Sequence, residues 1–72
     1  MSDDDTDRLA VAKALSTQAG MLFEDASAGA IMVGDLQVNG LRQRLSQILD
    51  MNMRAGVFLE AAVNLLVPQE RR

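Results

Sequence analysis

The sequence predicts an all-α fold: an antiparallel hairpin of two long helices that dimerises into a four-helix bundle. Three observations carry that expectation. Strong helix formers (Ala, Leu, Met, Gln, Arg) are abundant, whereas only Phe23 and Phe58 are aromatic and strand-favouring β-branched residues are scattered. Small and apolar residues recur at alternating steps of three and four along two proline-free segments on either side of Val33-Gly34-Asp35, the spacing of a helix seam. Finally, hydrophobic residues make up 49% of the chain, more than one seam between two helices can cover.

Taken in order, residues 1–5 read as a disordered acidic tail, with Asp3, Asp4 and Asp5 in succession. Asp5 or Thr6 can cap a helix, and Asp7 suits the positive end of its dipole. Helix 1 is expected over about residues 6–33, with a seam of Ala12, Leu15, Ala19, Leu22, Ala26, Gly29 and Val33. Gly20 and Gly29 each weaken it by ~1 kcal/mol relative to alanine.

The turn is expected within 34–40. Gly34 can close helix 1 in the left-handed conformation, Asp35 can cap the second helix, and Asn39-Gly40 offers a second break. A small β-hairpin, Ile31 to Val33 against Leu36 to Val38, is the weaker alternative, since an isolated hairpin is marginal.

Helix 2 is expected to about Val67, on a seam of Val38, Leu41, Leu45, Ile48, Asn52, Ala55, Leu59, Ala62 and Leu66. Pro68 ends it, and 68–72 form a polar C-terminal tail. A break between Asp50 and Gly56 would instead make a three-helix chain.

A tight turn makes facing residue numbers sum to roughly 70. Ala26 then faces Leu45, Leu22 faces Ile48, Leu15 faces Ala55, Ala12 faces Leu59 and Gly29 faces Leu41, so small meets large at most layers. Asn52 falls opposite Ala19, near Gln18. A polar residue on a seam punishes wrong registers and wrong oligomers, so Asn52 and Gln18 are the expected register-specifying pair.

A chain of 72 residues buries only ~60% of its unfolded surface and needs a staple. With no cysteine and no histidine, disulfides and thiolate or imidazole metal sites are excluded. Oligomerisation remains. The surplus apolar residues Leu49, Met53, Val57, Phe58, Val63 and Leu65 are the expected oligomer or partner interface. The layering of alanine against leucine resembles that of Rop-type plasmid copy-number regulators. That resemblance is one of pattern, without a shared motif, and implies a homodimer of hairpins that binds paired RNA loops.

Catalysis finds no support. Ser16, Thr17, Ser27 and Ser46 have no histidine to activate them, and Lys13 is the sole lysine. Glu24 and Asp25 point about 100° apart on a helix and form no carboxylate dyad. The acid run near the start lacks the glycine and distal glutamate of a calcium loop, and no glycine-rich stretch is followed by the Lys-Ser or Lys-Thr of a phosphate loop. No cofactor is expected. Met21, Met32, Met51 and Met53 suit core filling or a soft partner groove.

A net charge of −3 argues against nucleic acid, although Arg42, Arg44 and Arg54 form one basic grouping within helix 2. The longest run without a charged residue, Ala14 to Phe23, has 10 residues, far short of the ~20 that span a bilayer. A cytoplasmic location is the default.

The expected function is therefore that of a non-enzymatic protein–protein interaction module: a small homodimeric adaptor, chaperone or regulator with itself and another protein as partners. A small dimeric RNA- or DNA-binding regulator is the alternative, and a structural subunit of a larger helical assembly is a third.

Overall fold

A computed structural model describes residues 3–67 of the chain. It is an antiparallel helical hairpin, α1 (Asp3–Ile31) followed by α2 (Val38–Leu66), each helix 29 residues long. The molecule measures 58 × 20 × 11 Å. It is a ribbon two helices wide and about one helix, ~10 Å, thick.

α1 begins at Asp3, inside the stretch 1–5 expected as a tail. Asp4, Asp5 and Asp7 lie in its opening turns, where negative charge meets the positive end of the dipole. Its last closing bond runs from Met32 N to Ala28 O at 3.1 Å. The chain then turns over Val33–Leu36, with Leu36 N donating to Val33 O at 3.1 Å.

Gly34 differs from expectation here. No described residue has a positive φ, so Gly34 does not close α1 in the left-handed conformation. Gln37, not Asp35, occupies the N-cap of α2; its backbone is extended and its side chain makes no capping bond. Asn39 and Gly40 lie in the first helical turn rather than forming a second break. Leu36 folds back over that turn, 3.5 Å from where a Cβ on Gly40 would stand. The six residues from Met32 to Gln37 therefore connect the helices, and no described residue lies in a strand.

α2 runs unbroken through residues 50–56, which excludes the three-helix alternative. One glycine at Gly56 costs about 1 kcal/mol, too little to interrupt a helix favoured on both sides. The helix ends where Val67 takes φ −67° and ψ 131°, the extended conformation forced by clash with the ring of a following proline, here Pro68. The polar segment 68–72 lies outside the described residues.

The core is narrow. Ala12, Ala19, Ala26, Ala55 and Ala62 are buried, and among the described residues no larger hydrophobic is. Leu15, Leu22, Gly29 and Val33 complete the α1 seam as half-buried positions, matching the sequence expectation. On α2, Leu41, Ile48, Ala55 and Ala62 also sit where expected.

The other half of the α2 seam is corrected. It consists of Arg44, Met51, Phe58 and Leu65, each one residue before the expected Leu45, Asn52, Leu59 and Leu66, which are exposed together with Val38. Both columns are mostly apolar and flank the same alanines, so periodicity does not choose between them. The longer side chains Met51 and Phe58 fill the space that α1's alanines leave.

The register also shifts. The position of a Cβ on Gly29 would lie 3.4 Å from Arg44 Cδ and 3.8 Å from Ile48 Cγ1, and Ala12 and Ala62 share one groove. Facing numbers thus sum to about 75 rather than 70. The buried alanines lie level with one another across the seam, Ala19 with Ala55 and Ala12 with Ala62, and Met51, Phe58 and Leu65 pack beside them.

Candidate interaction face

The two broad sides of the ribbon differ in chemistry. Seven residues make two helical turns, so positions i and i+7 share a side. One side of α2 carries Leu45, Asn52, Leu59 and Leu66, with Arg42, Leu49, Gly56 and Val63 in the neighbouring column. On the same side α1 contributes Leu9, Ser16, Phe23 and Ala30, then Lys13, Gly20 and Ser27. An apolar groove of about 260 Å³ confirms that these columns share a side: Leu9, Lys13 and Ser16 form one wall, Leu59, Val63 and Leu66 the other, and Ala12 and Ala62 the floor.

Among the described residues this side has two cations, Lys13 and Arg42, and no acid. Leu49 is 64% exposed, Val63 62% and Leu66 54%. A contiguous apolar strip of this kind is an interaction surface or a liability. The opposite side of α2 is polar, presenting Gln43, Gln47, Asp50, Arg54 and Asn64. There Arg54 Nε lies 3.1 Å from Asp50 Oδ2, both exposed, a pair worth a few tenths of a kcal/mol at about i,i+4 spacing.

The residues expected at the interface are divided by this geometry. Leu49 and Val63 lie on the apolar side, Met53 on the outer edge of α2, and Val57 on the polar side. Phe58 and Leu65 turn inward and are half-buried in the hairpin seam. Leu9, Phe23, Leu45, Leu59 and Leu66 belong to the apolar side instead. Asn52 is exposed on that side, level with Phe23, while Gln18 is exposed on the other, so the hairpin does not bring Asn52 and Gln18 together. Asn52 was itself the available signal, since an amide in an otherwise leucine column marks a column outside the seam.

The three arginines are dispersed as well. Arg42 lies on the apolar side, Arg54 on the polar side, and Arg44 in the seam. Arg44 Nη1 donates to Gly29 O and Met32 O, both at 3.0 Å. α1 has no basic residue in its own last turn, so Arg44 reaches across from α2 to satisfy its terminal carbonyls. Arg44→Ala is expected to cost about 1–2 kcal/mol, less than two fully buried charged hydrogen bonds because the site is partly open to water. That lowers the thermal midpoint by roughly 4–15 °C, read by circular dichroism.

Among the described residues no group of three or more His, Cys, Asp or Glu is placed to hold a metal. None of the described helices is long and apolar enough to cross a membrane. The Thr17 hydroxyl is engaged by its own helix, donating to Lys13 O at 3.1 Å. No protein-family model, curated protein or solved structure matches this chain.

Proposed function

We propose that this protein is a non-enzymatic interaction module, a helical hairpin that dimerises through its apolar side into a four-helix bundle and serves another protein as adaptor, chaperone or regulator. One observation carries the reading: among the described residues only alanines are fully buried, while Leu9, Leu45, Leu49, Leu59 and Leu66 are exposed on one side. A monomer of 7.8 kDa exposes about 4,400 Å² when compact. This chain exposes 5917 Å². The excess of about 1,500 Å² is of the size that one subunit of an obligate dimer covers.

Burial of that surface adds the hydrophobic free energy that a seam of alanines lacks. A second protein then meets what the bundle leaves outward, including the adaptable side chains Met21 on the far side of α1 and Met32 just after it. Sedimentation of the purified protein tests the core of the reading. The expected species has twice the chain mass at micromolar concentration, and a well-folded monomer there overturns it. Salt-sensitive binding of RNA that is lost on replacing Arg42 and Arg54 by alanine would favour the nucleic-acid regulator instead.

Asn52 takes a defined place in this reading, in the middle of the dimer face. Asn52→Leu is expected to raise the thermal midpoint while broadening the distribution of oligomers, because an amide is removed from an apolar column and with it a penalty on wrong pairings. A lower midpoint with an unchanged single dimer would contradict that role.

A further inference from the structure

Resting on the dimer reading, we infer how the second copy lies: α1 of one chain packs on α2 of its partner, about a two-fold axis that runs along the length of the bundle. Closed two-fold symmetry permits only two ways of stacking the apolar sides of two ribbons. The axis runs either along the helices, which places α1 over the partner's α2, or across them, which places α1 over α1 and α2 over α2.

The distribution of side-chain size separates the two. On this side α2 carries Leu45, Leu49, Leu59, Val63 and Leu66, whereas α1 carries only Leu9 and Phe23 among serines, glycine, alanine and Lys13. Stacking like on like sets leucines against leucines along one helix pair and leaves serines and glycines facing one another along the other. Two such gaps of unequal width are incompatible with close packing of rigid helices.

The axis along the helices has a further consequence. A pure rotation about it involves no sliding, so each layer of α1 meets the layer of α2 that it already faces within its own chain. The register across the dimer is therefore fixed by the hairpin, again with numbers summing to about 75.

At that register Ser16 meets the partner's Leu59, Ser27 meets the partner's Leu49, Ala30 meets the partner's Leu45, and Phe23 meets the partner's Asn52. Small opposes large in each. Gly20 meets the partner's Gly56 midway along the hairpin, and beyond its own stretch of helix neither glycine has an atom within 4 Å of where a Cβ would stand. Backbones approach most closely where side chains are absent. The layers without a small residue, Leu9 against the partner's Leu66 and Lys13 against the partner's Val63, fall at the end of the bundle that holds the 260 Å³ groove. The helices, the seam and the register are all fixed without these pairings.

The chain contains no cysteine, so engineered disulfides report the arrangement directly. Gly20→Cys with Gly56→Cys in one chain is expected to give, on oxidation, a covalent dimer on a non-reducing gel. Each single variant is expected to stay uncrosslinked, because like positions lie diagonally across the bundle. Within one chain the two positions flare away from the seam, and a disulfide needs Cα atoms within about 7 Å. Ser27→Cys with Leu49→Cys, one layer along, serves if cysteine at the glycines impairs folding.

A protein that sediments as a dimer but crosslinks only through the single variants, or through neither pair, overturns the arrangement. A protein that sediments as a monomer overturns the dimer reading itself, so the two failures are distinct.

Discussion

Leu49→Glu combined with Val63→Glu is expected to abolish the dimer and most of the fold with it. Each side chain on the apolar side contributes about 1.5–3 kcal/mol when buried. Symmetry counts both positions twice. Four buried carboxylates add a desolvation cost that Lys13, which lines the same groove as Val63, offsets only in part. The dimer dissociation constant is expected to rise at least ~10³-fold, since about 1.4 kcal/mol is a factor of ten. Sedimentation and helical ellipticity at 222 nm, about 10 μM chain, read the outcome. Met53→Glu combined with Val57→Glu is the matched control. Those residues are similarly exposed in the hairpin but point to the outer edge and the polar side, so dimer and midpoint should be retained. Equal disruption by both pairs would show that the apolar side is not the interface.

Ala55→Leu is expected to be the most damaging single substitution in the hairpin seam. Ala55 is 0% exposed, and Ala19, across the seam, is 1%. Helices packed through alanine approach to the near end of the usual 8–10 Å range, and three further heavy atoms there have no space to occupy. The backbones must separate or the leucine must leave its rotamer, at about 1–3 kcal/mol. The thermal midpoint should fall by roughly 4–20 °C. Ala14→Leu, at an exposed position of α1, should leave it within a few degrees. A midpoint unchanged by Ala55→Leu would place the helices farther apart than an alanine seam implies.

Much of the fold was legible in the residues. Two segments with alternating steps of three and four, a break at Gly34-Asp35, and a proline at 68 specify two long helices lying antiparallel. The α1 seam was legible in full, because Ala12, Ala19, Ala26 and Gly29 form a column of small residues with no rival of the same kind. α2 offered two columns. Leu45, Asn52, Leu59 and Leu66 compete with Arg44, Met51, Phe58 and Leu65, and hydrophobicity alone favours the first. The candidate face inherited that ambiguity: Phe58 and Leu65 read as surplus, while Leu45, Leu59 and Leu66 read as spent on the seam.

The local chemistry of the chain by itself determined the two helices and their direction, because propensity and periodicity act within a few residues. Only the tertiary structure decided which way α2 turns. Columns three and four residues from a shared alanine differ by about 100° around the helix. What separates them is whether methionine and phenylalanine, or asparagine and leucine, fill the gap beside α1. The same packing lengthened the turn, drew Arg44 onto the carbonyls of α1, and released Asn52 from the seam into the middle of the apolar side.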